Sequence, residues 1–324
     1  MKVKVTAERW ELRAPFRITR GTFHFAEIVV VEIESGGFRG RGEAAGVDYH
    51  GEDTEALIAQ IEAFCGRSGE DPDRDSLLSE LPPGGARNAL DCALWDLESK
   101  SAGKSIWELV GIEPRDLQTV CTIGIDTPEA MGAAAAALRR YPILKIKLND
   151  DEPATRIRAV REARPDVRII VDANQAWTLD RLAAVAPELA ELGVEMIEQP
   201  LPEGEDEGLL DYESPVVLCA DESCNTAEDL ARLQGRYQMV NIKLDKTGGL
   251  TEALRLADSA RRQGLELMVG NMLGTSLAMA PAFVVGQLCR YNDLDGPLLQ
   301  KEDRHHAIRY DGATVSPPDP ALWG

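Results

Sequence analysis

At 324 residues the chain is long enough to bury a barrel-sized core and still carry a second, smaller domain. Its 35 Lys and Arg against 55 Asp and Glu leave a formal net charge of −20, which argues against nucleic acid or a membrane surface as partner, because both select a basic footprint. A basic-then-apolar leader, an apolar run of about 18 residues and C-x-x-C spacing of the six cysteines are all missing, and the chain reads as a reduced, cytoplasmic protein with a small-molecule partner.

In chain order, residues 3–12 and 27–34 read as antiparallel strands, and the glycine-rich turn at 36–40 leads into a short strand at 41–44. Two helices follow. Residues 54–65 place Leu57, Ile58, Ile61 and Phe64 on one stripe, and residues 86–97 do the same with Ala86, Leu90, Ala93, Leu94 and Leu97. Pro82-Pro83-Gly84-Gly85 separates them. This pattern predicts an α+β domain over residues 1–115.

From residue 116 to 298 the rhythm changes. Short apolar runs at 120–124, 143–148, 168–172, 194–198, 216–221, 239–243, 265–270 and 288–294 alternate with amphipathic stretches such as 155–163, 182–192 and 251–262. Eight βα units predict a closed parallel barrel. An open doubly wound sheet would be signalled by a G-x-G-x-x-G turn between strand and helix, and none is present. Residues 299–324 lose the rhythm and are expected to return to the first domain.

Charged residues sit where these runs end. Asp172, Glu198 and Asp221 close three consecutive strands, so barrel closure would converge three carboxylates, an oxygen set suited to Mg²⁺. Each acid by itself also reads as a helix cap. Lys145 and Lys147 are two apart on one strand and share a face, which for lysines means the barrel interior rather than the helix layer. Lys243 ends the sixth strand, across the barrel. A nearby metal ion and a second ammonium would bring a lysine toward the neutral range of a general base, whereas an ion-pair network would merely neutralise the carboxylates.

The combination Lys145-Ile146-Lys147, Asp172-Ala173-Asn174, Glu198-Gln199-Pro200, Asp221-Glu222-Ser223 and Asn241-Ile242-Lys243-Leu244-Asp245-Lys246-Thr247-Gly248-Gly249 resembles the enolase superfamily, specifically its muconate-lactonising subgroup. The resemblance implies a (β/α) barrel of the modified TIM type, with an N-terminal α+β capping domain whose segments near residues 16–23 and 46–51 reach the substrate. It also implies Mg²⁺ on Asp172, Glu198 and Asp221, Lys147 and Lys243 as the acid/base pair, and Lys145 in support. The chemistry needs such parts. A mismatch of roughly 20 pKa units between a carbon acid beside a carboxylate and a lysine would correspond to about 27 kcal/mol, so the enediolate requires a metal's charge.

Asp293-Leu294-Asp295-Gly296, at the end of the last strand, resembles the pair that holds the free ammonium group in dipeptide epimerases, and also reads as an ordinary turn. Arg20 resembles an arginine that pairs with a glutamate side chain, and Thr122 a position near the substrate. The expected function is a Mg²⁺-dependent dipeptide epimerase of the L-Ala-D/L-Glu type working by two-lysine 1,1-proton transfer. The alternatives are racemisation of an N-acyl amino acid such as N-acetylglutamate and an o-succinylbenzoate synthase type of elimination. Oligomeric state, a homo-oligomer included, is left open.

Overall fold

Alternating residues at the start of the chain form a three-stranded antiparallel sheet of β1 (Lys2–Ile18), β2 (Gly21–Ser35) and β3 (Phe38–Ala44), paired in that order. The structure, a computed structural model, describes residues 1–19, 21–67 and 71–324, so Arg20 lies outside the described residues. Within the segment near 16–23 expected to reach the substrate, residues 16–18 and 21–23 pair as strand: Phe16 faces Phe23 and Ile18 faces Gly21. The register shifts between Glu11 and Phe16, where Pro15 has no N–H to donate.

Val29, Val31 and Ile33 on one face of the sheet pack against α1 (Thr54–Arg67) and α3 (Gly85–Ala102) in a core of their own. Helix and sheet touch at backbone distance, since a Cβ on Gly42 would stand 2.0 Å from the Ala89 carbonyl oxygen. The short helices α2 (Arg74–Glu80) and α4 (Ile106–Val110) were not expected, although each carries a reciprocal cap, Asp73 with Ser76 and Ser105 with Glu108.

After β4 (Leu117–Gln118) the chain alternates strand and helix: β5 (Cys121–Ile123), α5 (Pro128–Ala137), β6 (Ile143–Lys147), α6 (Pro153–Ala163), β7 (Arg168–Asp172), α7 (Leu179–Glu191), β8 (Val194–Glu198) and β9 (Val217–Ala220). It continues through α8 (Leu230–Leu233), β10 (Met239–Ile242), α9 (Leu244–Thr247), α10 (Leu250–Arg262), β11 (Glu266–Val269), α11 (Ser276–Gly286), β12 (Tyr291–Asn292) and α12 (Gly296–Leu299). Strands β5 to β12 form one parallel sheet in sequence order. It closes where Val120 N donates to Asn292 O at 2.8 Å and Thr119 bridges Asn292. No helix of the described residues is long and apolar enough to cross a membrane.

The barrel interior is layered by the two-residue period of a strand. Its floor takes one residue from each of the eight strand segments: Val120, Ile143, Ile170, Met196, Cys219, Met239, Met268 and Tyr291, all buried together. Two residues further along each segment come Thr122, Lys145, Asp172, Glu198, Asp221, Asn241, Gly270 and Asp293. A dry apolar floor therefore lies beneath an almost wholly polar layer, and the change between them takes one pleat.

The remaining chain turns back as β13 (Tyr310–Asp311) and β14 (Thr314–Val315), with β14 pairing β4. At its end the Trp323 indole N–H donates to Cys92 O at 3.0 Å and Gly324 N donates to Asp96. Buried carboxylates join the two large units. Asp91 on α3 accepts from Thr251 N and its hydroxyl, and Asp245 on α9 accepts from the N–H groups of Ala45 and Gly46.

Burial raises Asp91 to about 6 and Asp245 to about 7. Unfolded carboxylates titrate near pH 4, so between about pH 4 and 7 the folded state binds more protons than the unfolded one. Stability from these groups is therefore full below pH 4 and lost as pH rises through 6 and 7. Thermal melting without added metal should give a lower Tm at pH 8 than at pH 5.5, and a Tm that climbs across this interval would contradict the assignment.

Candidate active site

The polar layer is built by register. Lys147 on β6 pairs in the ladder with Asp172 on β7, and Asp172 with Glu198 on β8. Glu198 stands beside Cys219 on β9, which brings Asp221, two residues on, to the same face. Left-handed backbone at Asn174 (φ 43°), Gln175 (φ 66°) and Gln199 (φ 35°) turns the chain sharply after β7 and β8, a conformation that non-glycine residues adopt at a cost. The Gln199 side chain sustains this turn by accepting from Asp221 N at 2.9 Å and Ser223 N at 3.1 Å while donating to the Ser223 hydroxyl.

Every carboxylate in this layer faces an ammonium. Lys145 Nζ stands 2.8 Å from Glu198, 2.8 Å from Asp293 and 3.2 Å from Asp172. Lys147 Nζ lies 2.6 Å from Asp172 and donates to Asn174 Oδ1 at 3.2 Å. Asp221 has two cations, Lys243 on Oδ2 at 2.7 Å and Lys246 on Oδ1 at 2.8 Å. Lys246 is fully buried and also donates to the carbonyls of Cys224 and Asn241, while the Asn241 amide donates to Glu198 Oε1 at 2.7 Å.

These contacts push the acids apart. Burial would raise Asp172, but Lys147 and Lys145 overcome it and hold the group below the ordinary carboxylate range; Asp221 falls similarly under Lys243 and Lys246. Glu198 rises to about 7, because burial and the Asp172 charge outweigh the ammonium groups of Lys145 and Lys243. Burial disfavours charge on Lys145 and Lys243, yet the carboxylates around each prevail and both pKa values rise. The lowering expected of a lysine beside a metal ion is thus reversed where the carboxylates face ammonium groups alone.

Among the described residues no three His, Cys, Asp or Glu side chains stand as a ready-made metal cluster, since lysines hold each carboxylate. The donor set nonetheless fits a hard cation. Asp172, Glu198 and Asp221 supply oxygen only, from three adjacent strands, and Glu198 Oε2 and Asp221 Oδ1 are buried with only an ion pair each, to Lys145 and to Lys246.

Above the layer lies a cavity of about 280 Å³. Lys145, Lys147, Lys243, Thr122, Asp293 and Asp295 line it from the barrel, and Phe16, Ile18, Phe23 and Phe25 line it from the first domain. Thr122 N donates to Asp295 at 2.6 Å. Burial and the Asp293 charge lift Asp295 to about 7. The structure thus gathers every described candidate into one place, leaving the three carboxylates beneath the lysines. Sequence reasoning assigned no role to Asn174, Gln199, Asn241, Lys246 or Gly270, although four of these stand in the quoted motifs.

Two family models match: "Mandelate racemase / muconate lactonizing enzyme, N-terminal domain" over residues 1–111 and "Enolase C-terminal domain-like" over residues 129–321. The chain is 45% identical to the L-Ala-D/L-Glu epimerase of Escherichia coli, over 95% of this chain and 97% of that protein. It is 44% identical to an N-acetyl-D-glutamate racemase of Pseudoalteromonas, over 92% and 95%. Among solved structures, an Agrobacterium tumefaciens enolase family member with homology to dipeptide epimerases, with sodium and L-Ala-L-Glu bound, superposes with a TM-score of 0.96 at 46% identity, covering 99% of both chains. Similar dipeptide epimerase structures, that of Enterococcus faecalis among them (TM-score 0.91, 28% identity, 98% and 97% covered), are complexed with Mg.

A Cβ on Gly270 would stand 2.7 Å from the Asn241 amide and 3.0 Å from Lys243 Cε. Gly270→Ala should displace Lys243 and lower kcat by about 10²-fold while leaving the circular dichroism spectrum unchanged; native kcat in this variant would show that Lys243 tolerates the shift.

Proposed function

This chain belongs to the enolase superfamily, in the group of mandelate racemase and muconate lactonizing enzymes, and is an isomerase of the racemase and epimerase kind; we propose that it inverts the C-terminal residue of a dipeptide of the L-Ala-D/L-Glu type. One observation carries the reading: Lys147 and Lys243 line one cavity from strands four apart in an eight-strand ring. A substrate α-carbon between them has one face toward each ammonium.

In this reading one lysine, as the amine, removes the α-proton, and the other, as the ammonium, delivers a proton to the opposite face, inverting the centre. Asn174 Oδ1 accepts from Lys147 Nζ and aims it into the cavity. Lys145, held by three carboxylates and raised in pKa, stays charged and serves as a fixed counter-charge. Asp172, Glu198 and Asp221 would hold Mg²⁺, which when bound supplies positive charge against the substrate carboxylate as the α-proton leaves. Phe16, Ile18, Phe23 and Phe25 keep water from the carbanion.

Asp293 and Asp295 would receive the dipeptide's free ammonium, a role supported by their place on the cavity wall and by the L-Ala-L-Glu bound to the Agrobacterium relative. A second reading, racemisation of N-acetylglutamate, has its own support. Asp293 already pairs with Lys145 and Asp295 with the Thr122 N–H, so neither acid depends on a substrate cation. Arg20, the residue proposed for a glutamate side chain in either reading, lies outside the described residues.

Lys147→Ala and Lys243→Ala should each reduce inversion by about 10³-fold, and in deuterated buffer each should exchange the α-proton of one enantiomer only; exchange of both by either variant would remove the two-face mechanism. Chelation with EDTA should abolish turnover and added Mg²⁺ restore it. Asp295→Asn should raise KM for L-Ala-L-Glu about tenfold, the worth of one charged hydrogen bond, and leave N-acetyl-D-glutamate within about twofold. Turnover of the acetylated substrate alone would transfer the assignment to the racemase reading.

A further inference from the structure

Asp245 lies two residues beyond Lys243 and is buried, yet nothing in the proton transfer uses it. Its Oδ1 accepts from both Ala45 N at 3.0 Å and Gly46 N at 2.9 Å, and its carboxylate also interacts with the Asn88 side chain on α3. The next N–H, that of Val47, donates to Glu52 Oε2 at 2.9 Å, and the same oxygen accepts from Gly85 N at 2.9 Å. Three consecutive backbone donors of the cap loop are thereby held by two carboxylates, one from the barrel and one from the cap. Asp245 provides the barrel's side of this hold.

The loop has little freedom to sit elsewhere. Gly46 is left-handed at φ 79°, and a Cβ there would stand 3.0 Å from Glu52; a Cβ on Gly85 would stand 2.8 Å from Gly46 Cα. Ala45 and Gly46 themselves line the cavity, together with Asp48, Glu52 and Asp53 just beyond them. The cap's wall of the cavity is thus tied to the short stretch that also carries Lys243.

We propose that Asp245 is a positioning residue that latches the cap loop at Ala45 and Gly46 onto the barrel mouth, fixing the substrate-facing wall in register with Lys243. Its substrate arm rests on the isomerase reading above; its structural arm does not. An acceptor oxygen is what the latch requires, because both donors converge on one atom. Asn supplies that oxygen without charge, and Ala supplies none.

The test is hydrogen exchange by mass spectrometry on the full chain, with steady-state kinetics on L-Ala-L-Glu in Mg²⁺. In the native protein the amides of residues 45–47 should be protected well beyond those of an exposed loop. Asp245→Ala should speed exchange in that peptide by about tenfold or more and raise KM by about tenfold, with kcat within about twofold. Asp245→Asn should return exchange and KM to within about twofold of native.

Unprotected amides in the native protein would overturn the latch even if Asp245→Ala fails to fold. So would a lower kcat at unchanged KM and loop exchange, which would place Asp245's influence on Lys243. Failure of Asn to rescue would also overturn it. If L-Ala-L-Glu is not turned over while the exchange pattern holds, the substrate reading fails and the latch stands.

Discussion

Nine ionisable side chains are buried around one barrel mouth: Lys145, Lys147, Lys243 and Lys246 with Asp172, Glu198, Asp221, Asp293 and Asp295. Their mutual neutralisation is the constraint on which the rest of the structure depends. An isolated charge in such a place would cost far more than the few kcal/mol by which a domain is stable. Removing one partner from a buried pair is correspondingly severe, on the order of 3–5 kcal/mol. Four of the five acids have a cation within reach, Asp295 being held by the Thr122 N–H instead, and the surplus acid charge appears as raised pKa values at Glu198 and Asp295.

This arrangement is poor as a device for stability, because hydrophobic residues in the same volume would do as well or better. In the proposed reaction its use is functional. Asp293 and Asp295, with Lys147 and Lys243 entering from opposite sides of the ring, present both signs of charge to one small cavity. The floor of eight apolar and aromatic residues keeps water from entering beneath, so the charges above act in a low-dielectric setting where they are strongest.

The cap and the barrel are joined by the same kind of interaction. Asp91 reaches from cap to barrel, Asp245 from barrel to cap, and Glu43 on β3 accepts from Thr275 N at 2.7 Å and from Arg304 of the returning tail. Buried carboxylates accepting backbone N–H groups define an orientation as apolar contact alone does not, since a hydrogen bond is directional and a buried one is costly to leave unmade. The loop containing Gly46 and the strand end carrying Lys243 thus meet in a defined register. The cavity between them takes its shape from both.

The eight strand segments, the two cap helices and the convergence of Lys145, Lys147, Asp172, Glu198, Asp221 and Lys243 were legible in the chain, because a parallel barrel imposes a period of two within each strand and one βα unit between strands. That periodicity is local, and charge at a strand's carboxyl end stands out against an apolar run. What the sequence by itself determined was which residues face inward and at which end of the barrel. Tertiary structure alone decided their partners: that Lys145 serves three acids, that Lys246 shares Asp221 with Lys243, that Asn241 holds Glu198, and that residues 16–18 pair with residues 21–23. Such choices depend on distances between segments far apart in the chain, set by barrel closure and by the seat of the cap, and no local pattern encodes them.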